Sequence, residues 1–425
     1  MQAKKKIIRV TTADISLEGL LRGQLGFLRQ HYDLVGLASD TGVLQFTAER
    51  EGIRVIHVPM HREISLGADI KSLIALYRVF RRERPWMVHA NTPKGSLLAM
   101  VAAFLARVPR RLYTVTGLRY QGATGKLRLV LKTMERITCL MATHVIPEGK
   151  GVMRALQEDH ITRKPLAVIR YGNINGKDTR HLSPRQTAAD VLKKDYDAVT
   201  DEDIKALRRQ LREDLATKAL WPDDAEERTE KKPIGEGDFV FIFIGRMVVD
   251  KGMCELARAM QHLTGDFPGA HLLLLGTMEQ GDAIPDDVRH YFLHDPHVVY
   301  AGPQYDIRPW LLAADALVFP SYREGFPNVP MEAGAMGLAA IVTNINGANE
   351  IIEDGVNGTI IPAPLDSRGH HAADITPALE DAMRAFLSHP DDVARMAAAA
   401  PRRIRERYEQ KDVWQALLDY YRSLE

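Results

Sequence analysis

The sequence predicts an α/β protein made of two domains, each a doubly wound parallel sheet. Three observations carry that prediction. Short β-rich runs alternate with amphipathic helical segments. The alternation stops in a charged stretch and then restarts. The 425 residues suit two or three domains at roughly 100–200 residues each.

In the first half, Ile7–Thr11, Leu34–Ala38, Arg54–Val58, Met87–Ala90, Leu112–Val115, His144–Pro147 and Leu166–Ile169 read as strands, with helical spacing in Leu20–Gln30 and Asp69–Arg82 between them. Ser183–Gly237 is highly charged, with a helical core near Glu202–Ala219 and an acidic, turn-rich tail from Pro222 to Gly237. Phe239–Gly245, Ala270–Leu275, His297–Ala301, Ala316–Pro320 and Ala339–Thr343 form the second strand set. Helices near Pro377–Leu387 and Val413–Leu424 are expected to cover the second domain. The predicted organisation is 1–184, a charged connector 185–237, and 238–425.

Composition narrows the function classes. Hydrophobic residues make up 45% and charged residues 26%, as in ordinary soluble proteins. The two cysteines, Cys139 and Cys254, fit neither a disulfide framework nor zinc spacing, which suits a reducing compartment. No apolar leader follows Lys4–Lys6, and the apolar run Gly95–Ala106 is shorter than the ~20 residues that cross a bilayer. A cytoplasmic location is therefore expected. The net charge of +1 hides an asymmetry: residues 1–184 hold 30 Lys/Arg against 14 Asp/Glu, and residues 185–425 hold 26 against 41. A basic half fits a polyanion or an anionic membrane surface, or simply an acidic partner half of the same chain.

In open α/β sheets ligands sit outside the carboxyl ends of the strands, so the loops there are the places for chemistry. After Phe239–Ile244 come Gly245-Arg246 and then Asp250-Lys251-Gly252 before a helix, Met253–Met260. Two glycines, two cations and a helix N-terminus suit a diphosphate. After Pro320 comes Ser321-Tyr322-Arg323-Glu324-Gly325-Phe326-Pro327-Asn328-Val329-Pro330-Met331-Glu332. Two carboxylates, Glu324 and Glu332, flank a Gly/Pro turn. They are suited to vicinal sugar hydroxyls, with backbone amides of Gly325–Val329 between them. Pro330 suits the first turn of a helix and would put Glu332 inside it.

Gly245-Arg246…Lys251-Gly252, Pro320-Ser321…Glu324-Gly325-Phe326-Pro327…Glu332-Ala333 and Gly347…Glu350-Ile351-Ile352…Asp354-Gly355…Asn357-Gly358 together resemble the retaining glycosyltransferases of family four. The resemblance implies the GT-B fold, two Rossmann-like domains facing across a cleft. It implies a nucleotide-sugar donor, with a UDP-sugar expected, held by Gly245, Arg246, Lys251, Gly325, Phe326, Asn328, Val329 and Glu332. Arg246 and Lys251 would bind its diphosphate, Glu332 its ribose, and Glu324 the transferred sugar. It implies no metal and no cofactor. Asp195-Tyr196-Asp197 has an Asp-x-Asp pattern but lies in the charged stretch, where a solvated helix face is the expectation.

The first half, over about 85–180, is similar to bacterial transferases that extend undecaprenyl-diphosphate-linked sugars for surface polysaccharides. His89-Ala90-Asn91-Thr92-Pro93-Lys94, Tyr113–Arg119, Ile146–Gly149 and Gly172–Gly176 carry this likeness. It implies a lipid-linked saccharide acceptor bound by the loop after Met87–Ala90. His89 or Asn91 would touch the reacting hydroxyl, and Lys94 an acceptor phosphate or carboxylate. Read alone, His89 also fits a hydrogen-bonded strand-end histidine. Two departures stand out. Ala13–Gly19 replaces the paired glycines frequent after the first strand, and Asn91 stands where a second histidine is common.

Gly125–Thr138 reads as a basic amphipathic helix. Arg128, Lys132 and Arg136 lie on one face, and Leu127, Leu131, Met134 and Thr138 on a neighbouring one. That fits reversible docking of residues 1–184 on an anionic inner-membrane surface. The alternative function is a non-hydrolysing sugar-nucleotide epimerase on the same architecture, which needs no acceptor. Nucleic-acid binding lacks any aromatic-basic motif, and a dinucleotide oxidoreductase lacks Gly-x-Gly-x-x-Gly after a strand.

Overall fold

A computed structural model of the chain describes residues 4–61, 65–220, 229–279, 282–363 and 373–425. Twelve strands among them form two six-stranded sheets. The first holds β1 (Lys6–Ala13), β2 (Asp33–Ser39), β3 (Arg54–His57), β4 (Met87–Ala90), β5 (Arg110–Val115) and β6 (His144–Pro147), in the order β3-β2-β1-β4-β5-β6. The second holds β7 (Phe239–Ile244), β8 (Ala270–Leu275), β9 (Val298–Gly302), β10 (Ala316–Phe319), β11 (Ala339–Thr343) and β12 (Gly358–Ile361), in the order β12-β11-β10-β7-β8-β9. All strand pairings are parallel. Each sheet reverses direction once, between its first and fourth strands, which is the doubly wound arrangement and places a ligand crevice at that switch. Runs such as Phe239–Ile244 and Ala270–Leu275 lack polar alternation because helices cover both faces of a parallel sheet.

The compact units are residues 1–176 with 410–425, and residues 177–409. This corrects the expected organisation in two places. First, the helix expected near Val413–Leu424, which forms as Gln410–Ser423, does not cover the second sheet. Its Leu417, Leu418 and Tyr421 instead share a core with Ile7, Leu25, Leu34 and Leu112 of the first unit. Second, residues 185–237 are not a free connector. The helix Pro184–Leu192 is capped by Ser183, whose Oγ accepts from Gln186 N at 3.2 Å. Asp201–Leu215 opens on a reciprocal Thr200/Asp203 capping box. Ala188, Val199, Leu207 and Leu215 then join the second unit's core. Arg208 and Arg212 reach Asp315, just before β10, and anchor the second helix there. Part of the acidic tail, 221–228, lies outside the described residues.

Smaller differences have local causes. Leu166–Ile169 forms only one bridge, Leu166 to Val145, and is not a strand. Gly358–Ile361 does pair, with β11, and closes the second sheet. The helix carrying Glu332 begins at Asn328, two residues before Pro330, so Glu332 falls in its second turn. Proline is tolerated that early because N-terminal helix amides have no intrahelical acceptor. No helix among the described residues is long and apolar enough to cross a membrane.

Candidate donor and acceptor sites

In the second unit, the switch between β10 and β7 brings two loops together. After β7, the chain passes Gly245-Arg246 and a short turn, Val249–Lys251, into the helix Met253–Asp266. After β10 comes Pro320–Pro327. The two are stitched: Tyr322 N donates to Asp250 O at 3.0 Å, and Arg323 pairs with Asp250 at 2.8 Å. Gly252, at φ +72°, lies so close that a Cβ would collide with the Pro320 carbonyl. Within this frame Lys251 Nζ pairs with Glu324 Oε1 and stands 3.4 Å from Ser321 Oγ. Ser321 Oγ lies 3.4 Å from the same carboxylate oxygen. The result is a cation, a carboxylate and a hydroxyl at the carboxyl ends of adjacent central strands. Ser321 is fully buried, while Lys251 and Glu324 keep part of their side chains open to solvent.

A third loop completes the wall. Gly347, at φ +74° after β11, packs on Gly325, Phe326 and Pro327, and a Cβ there would come within 2.6 Å of Phe326 Cα. Phe326 itself is buried edge-on against Tyr408, with ring centroids 5.6 Å apart. Its side chain supports the turn, and Val329 packs partly into the core. What this turn can present to a ligand is backbone, including the helix N-terminus at Asn328.

Two further predicted site residues pair with other groups. Arg246, about half exposed, pairs with Glu279 after β8 at 3.0 Å. Glu332 pairs with Lys177 at 2.6 Å. Lys177 and Ser321 carry no sequence signal as partners, since 155 and 70 residues separate them from Glu332 and Lys251.

In the first unit, the corresponding switch lies between β1 and β4. Here the loops are closed on each other by neutral groups. Thr12 N donates to Thr92 Oγ1 at 2.8 Å, the two hydroxyls lie 2.8 Å apart, and Gly95 N donates to Thr12 Oγ1 at 2.9 Å. Asp14, in the loop where paired glycines are frequent, opens the next helix. Its carboxylate accepts from Thr41 N, Thr41 Oγ1 and Val43 N at 2.5–2.9 Å, and these bonds outweigh its desolvation and hold it at about 2.

The expected acceptor residues are inward-facing. His89 is buried, with Nδ1 2.5 Å from Tyr421 Oη and Nε2 2.7 Å from Thr114 Oγ1. Desolvation, reinforced by Arg9, pushes its pKa well below the usual histidine range and keeps the ring neutral. With both nitrogens engaged, His89 has none left for a reacting hydroxyl. This is the geometry of the strand-end reading, a buried and hydrogen-bonded histidine. Asn91 Oδ1 accepts from Arg9 Nη2 at 2.9 Å. Arg9 is fully buried in the middle of β1, and its other partners are Gln24 (2.8 Å) and Tyr421 (3.2 Å). Lys94 is buried and paired with Asp69 at 2.6 Å.

The helix Gly125–Met141 also differs from its expectation. Leu131 and Thr138 face the core with Glu135 and Cys139, and Lys132 pairs with Asp159 at 2.5 Å. The exposed apolar set is Leu127, Leu129, Val130, Ile137 and Leu140. A second exposed stripe, Leu66, Ile70, Ile74 and Tyr77, runs along the helix Leu66–Glu83. Both helices pack against Pro93–Leu105. Among the described residues, no three His, Cys, Asp or Glu side chains are grouped as metal ligands. Asp195 precedes, and Asp197 lies within, a short 3-10 turn, Tyr196–Ala198.

Comparison with known proteins agrees with this architecture. Residues 25–172 match the glycosyl transferase 4-like domain, and residues 238–389 match the family of glycosyl transferases group 1. The chain is 28% identical to the Staphylococcus aureus capsular polysaccharide biosynthesis glycosyltransferase CapM, over 84% of this chain and 83% of that protein. It is 26% identical to an Escherichia coli UDP-Gal:alpha-D-GlcNAc-diphosphoundecaprenol alpha-1,3-galactosyltransferase, over 78% and 76%. The crystal structure of Anabaena HepE in complex with UDP-glucose superposes with a TM-score of 0.71 at 18% identity, covering 98% of this chain and 99% of that one. WaaG, a glycosyltransferase of lipopolysaccharide biosynthesis, gives 0.64 at 13%, covering 97% and 98%. The two family matches together span most of the chain, which belongs to the group 1 glycosyltransferases with a glycosyl transferase 4-like first domain, on the GT-B fold.

Proposed function

We propose that this protein transfers a sugar, with retention of anomeric configuration and without a metal ion, from a UDP-sugar to a lipid-linked saccharide during surface polysaccharide synthesis. The observation that carries this reading is the Lys251–Glu324–Ser321 cluster at the β7/β10 switch. The capsular and diphosphoundecaprenol-directed relatives support the acceptor class.

In the proposed reaction Lys251 exchanges Glu324 for an oxygen of the donor diphosphate, and Glu324 turns to the hydroxyls of the transferred sugar. Arg246 leaves Glu279 for the same diphosphate. The bond from the anomeric carbon to the leaving phosphate oxygen breaks, and the bond to the acceptor oxygen forms on the same face. The acceptor's proton passes to the departing phosphate. No second carboxylate is assigned as a nucleophile, in contrast to a retaining glycosidase with its pair about 5–5.5 Å apart. Lys251 stabilises charge that grows on the leaving group, which is preorganised electrostatic catalysis.

The first unit, with 30 Lys/Arg against 16 Asp/Glu, is proposed to rest on an anionic inner leaflet through the exposed apolar faces of Leu66–Glu83 and Gly125–Met141. The test of function is incubation of the purified protein with radiolabelled UDP- and GDP-sugars and membrane lipid extract. Label in a lipid-linked product supports the proposal. An epimerised sugar nucleotide formed without acceptor overturns it. Flotation with anionic vesicles at low salt tests docking: failure to float with them refutes the membrane face.

A further inference from the structure

Glu332 does not stand alone in the donor wall. Its Oε1 is held at 2.6 Å by Lys177 Nζ, with only 14% and 20% of the two side chains exposed. Among the described residues, Glu332 Oε2 takes no hydrogen bond. Lys177 is itself fixed from behind. Its backbone N donates to Tyr408 O at 2.7 Å, the segment bridges to Glu409, and Thr179 Oγ1 donates to Glu409 Oε2 at 2.5 Å. Gly176, at φ +67°, turns the chain immediately before it. Tyr408 closes the ring of contacts through its packing on Phe326, in the turn that leads to Glu332. A lysine on so constrained a backbone delivers its ammonium to one place.

We infer that Lys177 is a positioning residue for the nucleotide ribose: it commits one oxygen of Glu332, so that the other is aimed at the ribose hydroxyls. This rests on the donor-site reading above. A partly buried carboxylate with a free rotamer would lose its direction. A charge-assisted bond to one oxygen supplies it. The role is specific to the hydroxyl-bearing sugar and leaves the diphosphate grip of Lys251 untouched.

Binding of UDP and GDP, and of their 2′,3′-dideoxy counterparts, tests this by calorimetry on the full-length protein. The expected result is that the wild type binds one ribonucleotide about tenfold more tightly than its dideoxy form. Lys177→Met should bring that ratio close to one, as should Glu332→Gln. Lys177→Arg should restore part of it, and the double variant should be no worse than Glu332→Gln alone. A loss of affinity for both nucleotide forms alike, with the ratio kept, would mark Lys177 as merely structural and overturn the inference. If Glu332→Gln abolishes the ratio while Lys177→Met keeps it, the inference fails and the donor-site reading stands. If Glu332→Gln itself keeps the ratio, or the wild type shows none, the ribose assignment fails and the inference with it.

Discussion

The two switch points of this molecule have the same topology and opposite chemistry. At β10/β7 the loops are joined by backbone contacts, and their charged side chains, Lys251 and Glu324, remain partly open beside a hydroxyl. At β1/β4 the loops are joined by neutral hydroxyls, and the side chains of His89, Asn91 and Lys94 are turned inward, where His89 meets Tyr421 and Thr114, Asn91 Oδ1 meets Arg9 and Lys94 pairs with Asp69. A buried arginine, Arg9, organises that interior, and Tyr421 from the terminal helix completes it. Equivalent position in a doubly wound sheet therefore predicts a crevice, not which side chains work in it. In the second unit the strand-end residues are available for exchange with a ligand. In the first they are buried and engaged by neighbours of the same unit.

This contrast can be broken by experiment. Lys251→Ala and Glu324→Ala should each lower kcat/KM for transfer by a factor of about 10²–10³, with thermal unfolding little changed. Near-normal turnover in both would remove the donor assignment. Tyr421→Phe should act on stability, since it strips bonds from His89 and Arg9 in a dry site; a loss of about 1–3 kcal/mol is expected from denaturant unfolding. His89→Ala should behave alike, with any activity loss tracking the unfolded fraction. A His89→Ala protein of normal stability and no turnover would show that His89 is catalytic and end the contrast.

Glu135 sharpens the picture of the first unit. Burial raises its carboxyl to about 7 despite the bond it accepts from Tyr113 Oη at 2.8 Å. The folded protein then keeps a proton that the unfolded chain releases near the ordinary value of 4.5, so stability falls as pH rises from about 4.5 to about 7. Glu135→Gln should flatten that slope and raise stability at pH 8 by up to about 3 kcal/mol, read from urea unfolding at several pH values. A slope unchanged by the substitution would refute the assignment. The smallest effect is expected at Arg246, whose exposed pair with Glu279 leaves it half in solvent. Arg246→Ala should raise the donor KM several-fold with little change in stability.

Much of the fold was legible because its strands are short apolar runs that end in glycine or proline, and their alternation with amphipathic helices has few solutions. The donor loop was legible because its parts are contiguous: Ser321, Glu324, Gly325 and Asn328 lie within one strand-to-helix connection. Where reading failed, the missing information was pairwise and distant. An amphipathic helix announces an apolar face but not the sheet that will cover it, so Gln410–Ser423 was placed on the wrong core. On Gly125–Met141, Leu131, Met134 and Thr138 do face the core, but Glu135 joins them and Leu127 is exposed.

The sequence by itself determined two parallel α/β units, a glycosyltransferase loop and an uneven distribution of charge. These follow from local periodicity and from residues close along the chain. Only the tertiary structure decided which charges are spoken for. Arg246 goes to Glu279, Lys251 to Glu324, Glu332 to Lys177 and Lys94 to Asp69. The physical reason is that an ion pair is fixed by distance in space and by the water left around it, and neither is written in the spacing of residues along the chain.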